Sequence, residues 1–233
     1  MILGVIPARL NSTRFPSKVI FPLKGKPIIE HVYEKALQSN LLNKVIVAVD
    51  SEETKNVINC QNIIMTSDKH QSGTDRVAEV ANNFNCDIVV NIQGDEPGID
   101  PLLIDKLIKL FEDPDVEMAS IASTDLKEDD LNNDNVVKVN LDKENNAISF
   151  IRNNLNPEST YYRHIGIYAY RKNTLNLFTS LTQSDNEKNH RLEQLRALDN
   201  NIDINVSLAK SSPIGVDTKE DFLALKKIME YKN

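Results

Sequence analysis

Cysteine and long apolar runs are scarce in this chain of 233 residues, and its 27 lysines and arginines are outnumbered by 34 aspartates and glutamates. The two cysteines, Cys60 and Cys86, suggest neither a disulfide framework nor a metal cluster, and we interpret both as small buried or half-buried thiols. The net charge of -7 disfavours a general nucleic-acid role, because proteins that bind the phosphate backbone normally carry a basic surface. No uninterrupted apolar stretch approaches the roughly 20 residues that cross a bilayer.

The remaining composition is that of an ordinary globular enzyme, with 40% apolar and 26% charged residues. The first residues, MILGVIPARL, lack the basic start, long apolar core and cleavage site of a signal peptide. We therefore expect a cytoplasmic protein with neither a nucleic acid nor a membrane as its partner.

Short apolar runs alternate with segments of helical periodicity in the first half of the chain. The runs are rich in isoleucine and valine and predict buried strands at Ile2–Ile6, Lys44–Val49, Asp87–Ile92 and Val116–Ala122. Apolar residues that share a helical face predict three helices between and after them. The first begins near Pro27, the second after Thr74, which we interpret as its N-cap, and the third after Pro101.

The second half of the chain has a different pattern. Two strands, Val136–Leu141 and Ala147–Ile151, flank the turn-prone sequence DKENN and predict a hairpin, and Arg163–Arg171 predicts another strand. Helical segments are expected at Thr174–Ser180, Glu187–Leu198 and Thr218–Glu230. The fold class that follows is α/β, with a Rossmann-like, mostly parallel sheet flanked by helices and a smaller, partly antiparallel lobe. Without an obvious linker, we expect residues 1–233 to form a single compound domain.

A cationic loop, PARLNSTRFPSK, directly follows the first predicted strand, where an open α/β sheet binds its ligands. The loop lacks the Walker A pattern, yet it carries Arg9, Arg14 and Lys18 together with the hydroxyls of Ser12 and Thr13. Three cations so close together suit a triphosphate, whose charge must be neutralised before a nucleophile approaches. A solvated basic loop is the alternative that these residues leave open.

An acidic loop, NIQGDEP, closes another buried strand. A carboxylate just beyond a strand end is well placed to hold Mg²⁺, which takes one or two carboxylates and completes its shell with phosphate oxygens and water. Asp95 is the first predicted ligand, and Asp217 in GVDT is the candidate for the second. The alternative for Asp217 is a helix-start role, and for Asp95 it is a turn.

Two further groups of candidate residues give weaker evidence for a binding site. HQSGTDR opens a predicted helix, whose free backbone amides suit a base or a phosphate, although capping by Thr74 explains much of the same pattern. In the second lobe, Arg152 is able to clamp a carboxylate bidentately, with polar neighbours that read sugar hydroxyls. His164 lies in a predicted strand, where a histidine more often has a structural role. Glu193 and Arg196 are three residues apart, which is also the spacing of an ion pair on a helix surface.

The chain resembles the 3-deoxy-manno-octulosonate (Kdo) cytidylyltransferases, also called CMP-Kdo synthetases. The resemblance lies in IPARLNSTRFPSK, GKPIIEHVYEKA, HQSGTDRVAEV, VVNIQGDEP, YYRHIGIYAYR, LEQLRAL and GVDTKEDF, which run in the family's order from end to end. It implies a fold of the nucleotide-diphospho-sugar transferase type and a homodimer. Residues 1–125 and 205–233 would then form mainly the nucleotide-binding core, and residues 126–204 mainly the sugar-binding and dimerisation lobe.

The resemblance also implies roles for single residues. The catalytic residues would be Lys18, Arg9 and Asp95, with Mg²⁺ held by Asp95 and Asp217. CTP would be bound by Arg9, Ser12, Arg14, Lys18, Gln71, Ser72, Gly73 and Arg76. The sugar acid would be bound by Gln93, Arg152, His164, Tyr168, Glu193 and Gln194. The implied reaction is in-line attack of the anomeric hydroxyl on the α-phosphorus of CTP, which releases pyrophosphate.

The sequence departs from the family pattern at two places. The family commonly has glycine where this chain has Ser17, and it usually has F-S-R followed by a P-I-P-like stretch where this chain reads SFIRNNLN. The connection from there to Tyr162 is also shorter. We expect this second region to border the sugar, so CMP transfer to another 2-keto sugar acid, such as an 8-amino-octulosonate or a nonulosonate, is the first alternative. A nucleotide-binding paralogue without turnover is the second.

Overall fold

The computed structural model describes residues 1–9, 17–216 and 218–231. Its strands are β1 (Ile2–Ala8), β2 (Pro22–Leu23), β3 (Lys26–Pro27), β4 (Lys44–Val49), β5 (Ile63–Met65), β6 (Ile88–Asn91), β7 (Met118–Ser123), β8 (Lys138–Leu141), β9 (Ala147–Ile151), β10 (Tyr161–Arg171) and β11 (Ile204–Ala209). Its α-helices are α1 (Ile28–Ala36), α2 (Glu52–Val57), α3 (Gly73–Asn82), α4 (Pro101–Lys109), α5 (Glu128–Leu131), α6 (Lys172–Ser180), α7 (Asp185–His190), α8 (Leu195–Asp199) and α9 (Lys219–Tyr231). The chain divides into two compact units, Met1–Asp105 with Pro213–Asn233, and Lys106–Ser212.

A parallel sheet with the strand order β6-β1-β4-β5 forms the centre of the first unit. The strands β1, β4 and β6 consist largely of isoleucine, valine and leucine with buried side chains, as expected for a parallel sheet that is covered on its faces. Helices α1 and α3 pack against β1. Because the four strands run in one direction, the loops after β1, β4 and β6 meet at the same edge of this sheet.

The second unit contains a mixed sheet with the order β11-β7-β10-β8-β9. β7 and β11 are parallel, whereas β10 is antiparallel to both β7 and β8, and the hairpin of β8 and β9 is antiparallel. The register of β10 on β7 shifts between Ile165, which pairs with Ile121, and Tyr168, which pairs with Ser120. The predicted α/β fold class and the hairpin are confirmed.

Two local predictions are wrong. Ser72, not Thr74, is the N-cap of α3, because its side chain accepts from the backbone N–H of Asp75 while the Asp75 carboxylate accepts from the backbone N–H of Ser72. The expected helix Glu187–Leu198 is two short helices, α7 and α8, because Arg191 adopts a left-handed conformation with φ 54° and ends α7.

A buried ion pair holds α7 against α8. Arg196 Nε and Nη2 donate to the two carboxylate oxygens of Glu187 at 2.8 and 2.6 Å, and both side chains are 5% exposed. The Arg196 guanidinium also lies over the Phe178 ring, 4.8 Å from its centroid. The pair noted in the sequence also forms, with Arg196 Nη2 3.6 Å from Glu193 Oε1. The bidentate partner of Arg196 is nevertheless Glu187.

Replacing Glu187 by glutamine is expected to lower the free energy of unfolding by about 3–5 kcal/mol, because the Arg196 charge then stays buried without its counter-ion. Urea unfolding followed by circular dichroism measures the change. Asp185→Asn is the matched control, since Asp185 lies in the first turn of the same helix with its side chain 98% exposed. A Glu187→Gln variant as stable as this control would show that the pair contributes nothing to the fold.

The remaining structural expectations concern the thiols and the membrane. Cys86 is buried and Cys60 is half-buried, as predicted, and burial together with the charges of Glu30 and Glu34 raises the pKa of the Cys60 thiol to about 12. Such a thiol stays protonated at neutral pH and is a poor nucleophile. In the part of the chain that the structure describes, no helix has the length and apolar character needed to cross a membrane.

Candidate active site

Pro7, at the carboxyl end of β1, is the point where two of the three predicted loops come together. A Cβ on Gly94 would lie 2.9 Å from the Pro7 carbonyl oxygen, so only glycine permits this approach of the acidic loop to β1. A Cβ on Gly73, the first residue of α3, would lie 3.4 Å from Pro7 Cγ. The loop after β6 and the start of α3 both therefore lie against Pro7, the first residue of the cationic loop.

Lys18 and Asp95 form an ion pair, which joins the cationic loop to the acidic loop. The backbone of Val216 holds both residues: its N–H donates to the Asp95 carbonyl oxygen at 2.9 Å, and its carbonyl oxygen accepts from Lys18 Nζ at 3.1 Å. The two side chains are 12% and 25% exposed, so the pair is partly buried and still reaches solvent. Three segments that are far apart in sequence thus place one cation and one carboxylate at the same point.

Three predicted site residues, Ser12, Arg14 and Asp217, lie outside the described residues. The start of α9, next to Asp217 in the sequence, has a cap of its own. Thr218 Oγ1 accepts from the Asp221 backbone N–H at 3.2 Å, and the Asp221 carboxylate accepts from the Thr218 backbone N–H at 2.8 Å. This reciprocal pair is sufficient to cap α9, so the helix start does not require Asp217.

The predicted nucleoside segment surrounds the start of α3. Arg9 follows β1 with an exposed side chain, and its Nη1 donates to the Gln71 carbonyl oxygen at 3.4 Å. Ser72 caps the helix, and Gly73 begins it. The structure therefore brings Arg9, Gln71, Ser72 and Gly73 together at one helix N-terminus, where backbone N–H groups favour anionic or polar ligands.

Arg76 differs from these neighbours because its guanidinium is bound within the protein. It is 1% exposed and donates to Thr66 Oγ1, to the Ser67 carbonyl oxygen at 3.2 Å and to Asp50 Oδ2 at 3.2 Å. Burial lowers its pKa, and the charge of Asp50 opposes that shift. These bonds tie α3 to the ends of β4 and β5, and the predicted contact of Arg76 with CTP stays a prediction.

Ser17, where the resembling family commonly has glycine, has φ 56° and ψ 22°. This left-handed conformation costs a residue other than glycine about 1–2 kcal/mol. The departure from the family pattern therefore falls at a position where the backbone favours glycine, directly before Lys18.

Arg152, the predicted carboxylate clamp, is held at the end of β9 in the second unit. Its Nη1 donates to the Asp134 carbonyl oxygen at 2.8 Å. Its own carbonyl oxygen accepts from Lys138 Nζ at 2.5 Å, and Lys138 donates also to the Asn133 carbonyl oxygen at 2.9 Å. Lys138 is fully buried, and burial lowers its pKa. The sequence analysis missed this lysine, although a lysine within the predicted buried strand was a signal for it.

His164 and Tyr168 project from β10 with ring centroids 5.4 Å apart. Burial, with a smaller contribution from the charge of Arg152, lowers the pKa of His164 to about 3, so its ring is neutral at neutral pH. Burial raises the pKa of Tyr168 well above its usual range, and the charges of Tyr170 and Glu193 raise it further. Hydrogen bonding with the Ser120 side chain opposes this rise, although the contact falls outside ordinary hydrogen-bond geometry for the buried Tyr168 hydroxyl.

The other predicted sugar-binding residues lie in different units. Glu193 and Gln194 precede α8 in the second unit, where Gln194 is 7% exposed. Gln93 belongs to the first unit and is half-buried in the turn before Asp95. The predicted functional division at residues 125 and 205 stays a prediction.

These features are typical of a nucleotide-binding α/β protein: a parallel sheet whose carboxyl edge carries a helix start and, beside it, the Lys18–Asp95 ion pair. The sequence profile of the cytidylyltransferases matches residues 3–204. Two proteins named 3-deoxy-manno-octulosonate cytidylyltransferase, from Koribacter versatilis and Acidobacterium capsulatum, are 40% and 41% identical to this chain. The match with the first protein spans 99% of this chain and 91% of that protein, and the match with the second spans 98% and 96%. The chain belongs to the 3-deoxy-manno-octulosonate cytidylyltransferase family.

Solved structures agree with this assignment. The chain is similar to a CMP:2-keto-3-deoxy-manno-octonic acid synthetase complexed with CTP, with a TM-score of 0.94 and 33% identity over 100% of this chain and 99% of that one. A cytidylyltransferase from Leptospira borgpetersenii has a TM-score of 0.67 at 18% identity over 99% of this chain and 87% of that one. This second likeness supports the fold alone.

Proposed function

We propose that the protein transfers CMP from CTP to Kdo, with release of pyrophosphate. The observation that carries the proposal is the Lys18–Asp95 ion pair held by the Val216 backbone, because it sets a cation and a carboxylate beside the helix start that suits a nucleotide. The family's named relatives make the same transfer to Kdo the best supported reaction.

The donor set fits a divalent cation of the magnesium type. Asp95 offers one carboxylate, and the backbone of residue 216, next to the predicted ligand Asp217, is bonded to the backbone of Asp95. Among the described residues, no three His, Cys, Asp or Glu side chains gather into a protein-only metal cage. Mg²⁺ does not need one, because it completes its shell with phosphate oxygens and water. Bound there, it would neutralise charge that develops on the phosphates during the transfer.

The reaction needs positioning and charge neutralisation more than covalent chemistry. The anomeric oxygen of the sugar forms a bond to the α-phosphorus, and the bond from that phosphorus to the oxygen bridging toward the β-phosphorus breaks. The hydroxyl proton leaves to solvent, and pyrophosphate carries away the electron pair of the broken bond. We assign Lys18 and Arg9 to the phosphate charge and the start of α3 to the nucleoside.

The acceptor side of the proposal rests on the second unit. Arg152 supplies a guanidinium for the sugar carboxylate, and its main chain is anchored by the buried Lys138. Neutral His164 and the buried Tyr168 hydroxyl supply polar atoms for the sugar hydroxyls. We assign Gln93, Glu193 and Gln194 to the same acceptor.

The proposal is tested by pyrophosphate release from purified protein with CTP, Mg²⁺ and one of three acids: Kdo, 8-amino-Kdo or sialic acid. We expect release with Kdo and CTP, none with the other nucleoside triphosphates, and none after chelation of the metal. Release with only another acid would keep the mechanism and move the acceptor preference to the altered sequence after Arg152. No pyrophosphate release with any of the three acids, from a folded protein that binds CTP, would favour a nucleotide-binding paralogue without turnover.

The cellular setting follows from the same proposal. We propose a cytoplasmic homodimer whose product feeds lipopolysaccharide assembly. Residues 1–125 and 205–233 would serve mainly the nucleotide, and residues 126–204 mainly the sugar and the dimer contact.

A further inference from the structure

Ser120, a buried serine on β7, lies at the centre of the polar residues of the second unit. It is 0% exposed, and its Oγ lies 2.9 Å from His164 Nε2. The same Oγ lies 2.9 Å from the Ile167 carbonyl oxygen and 3.3 Å from the Ile165 carbonyl oxygen. No role was predicted for this residue, although a serine in an otherwise apolar strand was visible in the sequence.

The proton on Ser120 determines which nitrogen of His164 carries the ring proton. A hydroxyl has one proton to donate and two lone pairs that accept. If Ser120 donated to His164 Nε2, its oxygen and the Ile167 carbonyl oxygen would face each other at 2.9 Å as two acceptors. Both contacts are hydrogen bonds only when Ser120 donates to Ile167 and His164 Nε2–H donates to Ser120.

The irregularity in β10 explains why this serine has so many partners. Residues four apart lie about 13 Å from each other in a regular strand, at roughly 3.3 Å per residue. The His164 and Tyr168 rings are nevertheless 5.4 Å apart, because β10 bulges between Ile165 and Tyr168 against β7. Ser120 Oγ therefore lies within hydrogen-bonding distance of the His164 ring and of the Ile165 and Ile167 carbonyl oxygens, and its single proton goes to the nearer carbonyl oxygen, that of Ile167.

The His164 ring is also fixed by its aromatic neighbours. Phe150, which is 1% exposed, contacts it edge to face with centroids 5.0 Å apart and an interplanar angle of 79°. Along the described chain, the ring makes its hydrogen bond through Nε2, which leaves Nδ1 for another partner.

We infer that Ser120 is a positioning residue that fixes neutral His164 with its proton on Nε2, so that Nδ1 accepts a hydrogen bond from a sugar hydroxyl. The contact between His164 and the acceptor rests on the proposed function. The inference adds the direction of that hydrogen bond and the residue that sets it. A site of this kind favours an acceptor that donates a hydroxyl proton at this position over one that only accepts there.

The first test is the protonation of the His164 ring, which does not depend on activity. In ¹⁵N-histidine-labelled wild-type protein, long-range proton–nitrogen NMR spectra report which ring nitrogen carries the proton, and His164→Gln identifies the signals. We expect an Nε2–H tautomer that is unchanged across neutral pH, and its loss or mixing with the other tautomer in Ser120→Ala. An Nδ1–H tautomer in the wild-type protein would overturn the inference.

The second test separates positioning from folding by kinetics. Ser120→Ala is expected to raise the KM for the sugar acid about tenfold, equivalent to roughly 1.4 kcal/mol, and to leave the KM for CTP within about twofold. Ser120→Cys, which replaces the hydroxyl by a larger and weakly hydrogen-bonding thiol, is expected to fall between alanine and wild type. Ser123→Ala is the control, because Ser123 is equally buried on the same strand and accepts from the Asp125 backbone N–H instead.

The two proposals fail in different ways. If no 2-keto sugar acid supports pyrophosphate release by the wild-type protein, the proposed function fails, and the NMR spectra still decide the tautomer. If Ser120→Ala and Ser123→Ala change both KM values equally, or if neither changes the KM for the sugar acid, Ser120 does not position His164 for the acceptor.

Discussion

Replacing Asp95 by asparagine is expected to lower pyrophosphate release by roughly 10²–10³-fold while the protein stays folded. Asparagine preserves the size of the side chain and a carbonyl oxygen, but it removes the negative charge. That charge pairs with Lys18 in the structure and is the one that we assign to the metal. The loss should lie in turnover, since neutralisation of charge at the phosphates matters most in the transition state.

A control in the same region separates this effect from a general change of charge. Asp100→Asn removes a carboxylate five residues further on, and asparagine is still able to accept from the Leu102 backbone N–H that Asp100 Oδ1 binds at 2.9 Å. Turnover of this control is expected to stay near that of wild type, and urea unfolding of both variants checks the fold. Asp95→Asn with near-normal turnover would remove Asp95 from the metal site.

The parallel sheet was predictable because the apolar composition of its strands indicates that they are buried. β1, β4 and β6 are buried runs of isoleucine, valine and leucine, and the prediction for Lys44–Val49 coincides with the bounds of β4. β5 and β11 were missed. β5 has three residues and none of them is fully buried, while β11 mixes asparagine and serine into its apolar pattern.

The capping of α3 shows where local patterns are insufficient. Ser72 and Thr74 are both good N-cap residues, and the sequence does not choose between them. The choice depends on the reciprocal bonds between Ser72 and Asp75 and on the close packing of Gly73 against Pro7. That packing arises from the tertiary fold, which brings the start of α3 to the end of β1.

The loops of the candidate site were predictable, but their connections were not. Lys18 and Val216 are 198 residues apart, and no local pattern predicts that the backbone of one binds the side chain of the other. The same holds for Ser120 and His164, which lie on neighbouring strands that only the tertiary fold brings together. Sequence patterns identify chemical groups at strand ends, whereas the partners that orient these groups are determined by long-range packing.

Lys18→Gln is expected to lower turnover by roughly 10²–10³-fold, because a cation directed at the phosphates is lost from a partly buried position. Glutamine keeps a neutral hydrogen-bond donor for the Val216 carbonyl oxygen, on a side chain that is one bond shorter than that of lysine. Lys26→Gln is the matched control, since Lys26 is another lysine near this loop whose partner, Glu34, is exposed at the surface. Turnover of the control is expected to stay close to that of wild type.

The double variant Lys18→Gln/Asp95→Asn decides whether the ion pair serves the fold or the reaction. If each charge mattered only as the partner of the other, removing both would restore activity and stability, because neither charge would be left buried alone. If both act on the phosphates and the metal, the double variant stays at or below the activity of the weaker single variant. We expect the second result, with unfolding free energies that do not follow the activities.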